Sequence, residues 1–333
     1  MFESDPELDE LIRTVDRLVA QRAWDELLAL RDRARASHER GRQHWPAAAY
    51  AEYRLALEAP APWAARVVVE GAGRFAPGPL TEVVASTHTW DELAPHLPPG
   101  PLASITAHER VLRGEDLRAD DRIDRDVLAV PLVLAPWETS YPPVTYRPDK
   151  ADFPMPDLPP LRAADLPPKP AEWTADVDEA RVLRGLAATW REESSGTAQA
   201  VAVRGGATTA LAALEVHGAR VAPLEPGDAF ALMAWAAASG GANGRRRGMA
   251  WGRYLAWECA SVLLQCDLDE VGDLAGELRW FAWDDGRAPL GWYLRLAVED
   301  PDDGHAWAVE ALDGGDGPAT GPQAPVPRHV PGR

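Results

Sequence analysis

The chain has 333 residues, 46% of them hydrophobic, with 14 tryptophans against 5 phenylalanines and a formal charge of −18. That length and apolar content suffice for two folded domains with their own cores, which excludes general disorder. The acidity excludes a broad nucleic-acid surface, because phosphate-dominated binding needs a basic patch that outweighs the rest of the domain; a small basic pocket for an anionic ligand stays open.

The start, Met1-Phe2-Glu3-Ser4-Asp5, is acidic and polar, unlike a secretion signal, and no uninterrupted apolar run reaches the ~18 residues of a membrane span. The expected location is the cytoplasm, with no membrane partner. Residues 5 to 58 read as helices. Leu8, Leu11, Ile12, Val15, Leu18 and Val19 form a stripe of helical period opened by Asp5-Pro6, a second helix begins near Trp24, and a third runs from Pro46 to Leu57 before Pro60 and Pro62. Trp-Asp-Glu-Leu occurs at 24 to 27 and again at 90 to 93, each followed downstream by His-Glu-Arg, at 38 to 40 and 108 to 110. The order hints at duplicated helical hairpins of the kind that stack into an α-solenoid, against coincidence in an alanine- and arginine-rich chain.

Val67-Val68-Val69 followed by Gly71-Ala72-Gly73-Arg74-Phe75-Ala76 has the spacing of a dinucleotide loop, but Pro77 and Pro79 fall where the helix should start, so a glycine turn is expected. His38-Glu39 and His108-Glu109 begin like zinc-protease helices, yet Arg42 and Leu112 hold the second histidine positions, and no metal site is expected. From 136 to 172 closely spaced prolines exclude a helix or central strand and read as an extended linker, pinned by Trp137, Tyr141, Tyr146 and Phe153.

Beyond the linker the pattern changes. A helix is expected over 177 to 191, a strand at Ala198 to Val203, a helix at Thr208 to Val216 and a strand at Ala219 to Leu224. Two helices, Pro226 to Ser239 and Met249 to Gln265, flank a glycine- and arginine-rich loop. Cys259 and Cys266, on one face about 10 Å apart in a helix, are too far apart to bridge and are expected to be free thiols. Leu278 to Trp283, Gly291 to Val298 and Ala306 to Glu310, separated by Asp-Gly turns, read as an antiparallel three-strand meander with an acidic face. The turn aspartates (Asp284, Asp285, Asp300, Asp302, Asp303) read as hairpin residues, without the loop spacing of a calcium site. The tail, 314 to 333, is glycine- and proline-rich and reads as disordered.

The fold class is therefore α+β: a mainly helical domain over 1 to 135 with solenoid-like features, a proline-rich linker over 136 to 172, and an α+β domain over 173 to 313. The most specific stretch is Ser239-Gly-Gly-Ala-Asn-Gly-Arg-Arg-Arg-Gly248. Glycines that turn backbone N–H groups inward, a helix N-terminus and three guanidinium groups make it the best candidate anion site, with Asn243, Gly244, Arg245, Arg246 and Arg247 as donors and Trp251 as a stacking partner. The competing reading is internal: the same arginines neutralise carboxylates of the acidic meander, such as Glu277 or Glu299.

That loop, the tryptophan-bearing helix after it, Glu277-Leu-Arg-Trp280, Gly291-Trp-Tyr-Leu-Arg-Leu-Ala-Val-Glu-Asp300 and Ala306-Trp-Ala-Val309 resemble a family of uncharacterised actinobacterial proteins, over roughly the last 150 ordered residues. The resemblance implies a bacterial cytosolic protein and a C-terminal domain that exists as a unit, and carries no activity or site residue. Of the 34 basic residues only Lys150 and Lys169 are lysines, which fits a GC-rich genome. No Walker loop, nucleophile elbow or Cys-x-x-Cys is present, so no cofactor or catalytic residue is assigned. The preferred reading is a non-enzymatic interaction or regulatory protein that grips a protein partner through its helical domain. The alternative is an enzyme or sensor that binds a phosphorylated or nucleotide-like small molecule at residues 240 to 248.

Overall fold

In a computed structural model the protein is described over residues 6–39, 44–138, 141–287 and 291–314, the side chains of His38 and Glu39 excepted. The chain divides into two compact units. Unit 1 comprises Met1–Leu134, Pro143–Asp152 and Arg246–Trp251; unit 2 comprises Ala135–Pro142, Phe153–Arg245 and Gly252–Arg333.

Unit 1 is helical: α1 (Pro6–Ala20), α2 (Trp24–Glu39), α3 (Trp45–Glu58), α4 (Ala61–Ala64), a 3-10 turn (Ala65–Val67), α5 (Leu80–Thr87), α6 (Trp90–Leu93) and α7 (Pro101–Val111). The stripe of α1 buries Val15, Leu18 and Val19. The helix stops because Arg22 takes a left-handed conformation (φ 53°) and the N–H groups of Arg22 and Ala23 bond back to the carbonyls of Val19 and Leu18. α3 is the central helix. Ala47, Ala51, Leu55 and Ala56 are fully enclosed, α1 and α2 pack on it, and α5 links it to α7. Because α3 is buried nearly all round, its polar side chains Glu52 and Arg54 must find partners inside the protein. A two-strand hairpin, β1 (Thr145–Arg147) and β2 (Lys150–Asp152), completes the unit; the Tyr53 hydroxyl donates to the Arg147 carbonyl.

Unit 2 is built on a six-stranded antiparallel sheet of β3 (Arg162–Ala163), β4 (Thr197–Arg204), β5 (Arg220–Leu224), β6 (Arg279–Asp284), β7 (Trp292–Asp300) and β8 (His305–Asp313), in the order β3-β5-β6-β7-β8-β4. Its helices are α8 (Asp178–Gly185), α9 (Ala188–Glu193), α10 (Ala207–Ala213), α11 (Pro226–Ala238), the part of α12 (Met249–Leu264) after Trp251, and α13 (Val271–Leu274). Side chains alternate across a strand, and both faces are covered. Ala297, Ala306, Ala308 and Trp283 meet α10 on one face. Trp280 packs edge-on against Phe230, and Trp292 stacks on Trp235 at 5.1 Å, on the face that holds α11. Tryptophans together with Phe230 and Phe153 fill this second layer.

The meander falls where the Asp-Gly turns placed it, lengthened at its ends and embedded in the wider sheet. Two sequence expectations change. The stretch from 136 to 172 is shared between both units and carries β1, β2 and β3, while Trp137 packs against Phe230 and Trp257 inside unit 2. Proline is tolerated there because these strands are two or three residues long and β3 lies at a sheet edge. The two Trp-Asp-Glu-Leu copies also differ: the first opens a 16-residue helix, the second a four-residue turn held by a Thr89/Glu92 capping box and stopped before Pro98. Of the tail from 314 to 333, all but residue 314 lies outside the described residues, as does Arg40 of the first His-Glu-Arg.

Candidate functional site

The glycine- and arginine-rich loop is anchored along its length. Within unit 2, the Ala242 N–H donates to Asp313 at 2.7 Å, Asn243 donates to the Ser194 hydroxyl through its N–H (3.2 Å) and side-chain amide (3.3 Å), and the Arg245 N–H donates to Glu193 at 2.9 Å. Gly240 and Gly244 are required by closeness: a Cβ on Gly240 would lie 2.0 Å from the Gly244 carbonyl oxygen. The side chains of Arg245 and Arg247 are exposed, and Trp251 is half-buried.

Arg246 differs from its neighbours. Its guanidinium donates through Nη2 to both oxygens of Glu82 in α5 (3.1 and 2.9 Å), with the two side chains 11% and 0% exposed. Glu82 also accepts from the Tyr146 hydroxyl and, at 3.4 Å, from the Met249 N–H in the first turn of α12. One residue on, the Ala250 N–H donates to Glu109 of α7 at 2.8 Å, and Arg113 lies 3.6 Å from the other Glu109 oxygen. The loop and helix N-terminus thus form an arrangement of donors within unit 1, and the Glu82 and Glu109 carboxyl groups of the same chain occupy it. Arg246 meets Glu82, where the sequence offered the meander residues Glu277 or Glu299; in unit 2, Glu299 pairs with Arg279 at 3.2 Å.

The electrostatics follow from this enclosure. Burial, and then the nearby Glu82 charge, raise the Glu109 carboxyl to about 8, with Arg113 opposing. Burial and Glu82 also push the Tyr146 hydroxyl well above the usual tyrosine range. For Arg246, burial alone would favour loss of the proton, but Glu82, Tyr146 and Glu109 outweigh it and hold the charge.

A second buried pair sits in unit 2. Arg253 donates through Nε and Nη2 to Glu138, each at 2.8 Å, with the two side chains 1% and 0% exposed. Glu138 also accepts from Tyr141 (2.7 Å), Trp257 (3.1 Å) and the Ala135 N–H (2.8 Å). Burial disfavours this carboxylate, and Arg253 with Tyr141 and Ala135 more than compensates, so it titrates below the ordinary range.

Open concavities lie elsewhere. In unit 1, a cleft of about 500 Å³ is lined by Arg35 of α2, Trp45, Ala48, Ala49 and Glu52 of α3, and Gly71, Arg74 and Phe75 of the glycine turn. Its walls are joined by Glu52: Oε1 accepts from Arg35 Nε, and Oε2 accepts from the Gly73 N–H at 2.8 Å. Gly73 has φ +64°, and a Cβ there would lie 2.5 Å from Leu80 Cγ, so only glycine lets the turn close on Glu52. The turn presents Phe75, which is 57% exposed yet lies 3.9 Å from the Trp45 ring centroid, with the Arg74 guanidinium 5.6 Å from the Phe75 ring. Among the described residues Arg74 pairs with no carboxylate. The cleft therefore offers aromatic surface and guanidinium donors at one place, a set suited to holding a ligand by stacking and charge-assisted hydrogen bonds. A smaller cleft in unit 2, about 370 Å³, is lined by Trp173, His305, Trp307, Glu172, Glu179 and Arg204 among others. Among the described residues no three His, Cys, Asp or Glu side chains gather as a metal would require.

The sequence missed the cleft because it draws on three separated stretches, in which Arg35 looks like one charge in a run and Phe75 like the end of a turn. An exposed phenylalanine beside a glycine turn was the available signal. The geometry defines a two-unit α+β protein with an aromatic, cationic cleft in its helical unit. The chain matches the family of unknown function DUF6183 over residues 9–313 and belongs to that family. The match runs through the helices as well as the sheet, so it extends well beyond the C-terminal residues on which a resemblance was read. No curated protein and no solved structure matches the chain. No helix among the described residues is long and apolar enough to cross a membrane.

Proposed function

We propose that this is a non-enzymatic binding protein of the bacterial cytosol, of actinobacterial origin, that acts through interaction or regulation, and that unit 1 receives its ligand in the Arg35/Trp45/Phe75 cleft. The observation that carries this reading is Phe75, held 57% exposed over a concave, partly cationic site by a turn that Glu52 and Gly73 fix in place. Exposing an aromatic ring forgoes burial energy of about 1.5–3 kcal/mol, and what points to binding is that this ring lines a concavity together with Trp45 and the Arg35 and Arg74 side chains. The buried carboxylates Glu82, Glu109 and Glu138 support the same reading, since each is enclosed with partners inside a unit and serves the scaffold.

The test is a thermal-shift screen of the full-length protein against nucleotides, sugar phosphates, carboxylates and uncharged aromatic compounds. A ligand at 100 times its Kd adds about 2.7 kcal/mol of stability. A stabilising compound whose effect Phe75→Ala removes supports the cleft. A compound that Phe75→Ala leaves unaffected and Arg247→Ala abolishes would overturn it in favour of the loop at 240 to 248 as the ligand site.

A further inference from the structure

The cleft in unit 1 carries more information than its position. Three of its lining residues are ionisable: Arg35, Glu52 and Arg74. Glu52, with its side chain only 3% exposed, is answered by Arg35 through Nε and by the Gly73 N–H. One guanidinium therefore balances the one carboxylate, and Arg74 remains as a net positive charge at the mouth of the cleft. In a chain whose formal charge is −18, this is a local reversal of sign. Arg35 keeps its Nη groups beyond the Nε used for Glu52, and its side chain is 37% exposed. An incoming anion thus meets two guanidinium groups, which match phosphate and carboxylate oxygens.

The remainder of the lining is aromatic or small. Trp45 and Phe75 form a close ring pair, and Ala48, Ala49 and Gly71 leave the space beside it open. Flat apolar surface of this kind is matched by a planar ring, which a simple inorganic anion lacks. A volume of about 500 Å³ falls within the range of small-molecule sites, roughly 300–1,000 Å³, and accommodates a ring together with its charged substituent.

We infer that this cleft binds a small molecule made of a planar aromatic or heteroaromatic ring carrying a phosphate or carboxylate, with the ring against Trp45 and Phe75 and the anionic group on Arg74 and Arg35. The inference rests on the cleft being the binding site and adds the chemistry of what it takes. Arg74 is the selectivity-determining residue, because among the described residues its guanidinium touches the Phe75 ring but pairs with no carboxylate; Arg35 also supports Glu52 and is a poorer probe.

Equilibrium titration of the full-length protein with two matched pairs tests this: adenosine 5′-monophosphate against adenosine, and indole-3-acetate against indole-3-acetamide, with inorganic phosphate alone as a fifth probe. At least one anionic member is expected to bind about tenfold or more tightly than its neutral partner, and more tightly than phosphate. Arg74→Gln, a change at an exposed side chain, is expected to bring that anion down to its neutral partner while leaving the neutral compound unchanged. Phe75→Ala is expected to weaken both by about tenfold. Neutral and anionic members that bind equally, and both depend on Phe75, would overturn the anion inference and leave the cleft standing. The absence of any binding sensitive to Phe75 among the four ring compounds would overturn the inference, and a similar absence in the wider screen would remove the cleft as well.

Discussion

Arg246→Ala separates a structural arginine from one held ready for a ligand. The Arg246 side chain is 11% exposed, Glu82 is fully enclosed, and both Glu82 oxygens accept from the same Nη2. Removing the guanidinium leaves Glu82 with the Tyr146 hydroxyl and a long bond from the Met249 N–H, an ionised carboxylate without its counter-charge. Breaking a buried pair from one side costs about 3–5 kcal/mol, a large share of the roughly 5–15 kcal/mol that holds a domain folded. Urea unfolding followed by far-ultraviolet circular dichroism measures the loss. A double-mutant cycle assigns it: Arg246→Met with Glu82→Gln keeps an acceptor for Tyr146 and removes both charges, so the double variant should lose less than the two singles summed, by about 1 kcal/mol or more. A loss below about 1 kcal/mol for Arg246→Ala, with additive singles, would refute the reasoning and return Arg246 to the solvent or to a ligand.

Three further outcomes follow from the same geometry. Glu109 is raised to about 8 by burial and by Glu82, above the ~4.3 of an unfolded glutamate. Its contribution is therefore fully present below pH ~4 and is lost as pH rises to about 8, at up to ~1.4 kcal/mol per pH unit. Glu109→Gln keeps an acceptor for Ala250, so it should flatten stability between pH 6 and 9 and exceed the wild type at pH 9; an unchanged slope would contradict the assignment. Glu138→Ala, which strips Arg253, Tyr141, Trp257 and Ala135 of a shared acceptor, should destabilise unit 2 by ~3–5 kcal/mol in the same urea assay, and a near-neutral effect would contradict the buried pair. Gly73→Ala combines a left-handed φ with a Cβ 2.5 Å from Leu80, so it should cost at least ~1 kcal/mol, whereas Gly71→Ala, with nothing within 4 Å, should show only the smaller backbone strain.

What the sequence revealed was local, and what it concealed was long-range. The stripe of α1 and the Asp-Gly turns of the meander are periodic signals within short windows, and the elements fall close to where those signals put them. The stretch from 136 to 172 was opaque because prolines forbid long elements without forbidding two-residue edge strands. The sequence offered the arginine loop either as an anion site or as a set of internal partners for carboxylates, but Glu82 lies 164 residues from Arg246, and nothing in a charge run announces such a partner. Glu82, Glu109 and Glu138 look like ordinary acidic residues until burial shows that each has a partner. The cleft was hidden for the same reason: Arg35, Glu52 and Phe75 are unremarkable singly and meet only when α2, α3 and the glycine turn pack.

The most direct test of the cleft is hydrogen–deuterium exchange of the full-length protein with and without a saturating ring anion from the titration. The account predicts slowed exchange concentrated in the Gly71–Phe75 turn and the first turns of α3, lost in Phe75→Ala. Protection confined to residues 240 to 248, with the turn unchanged, would contradict it and place recognition at the arginine loop.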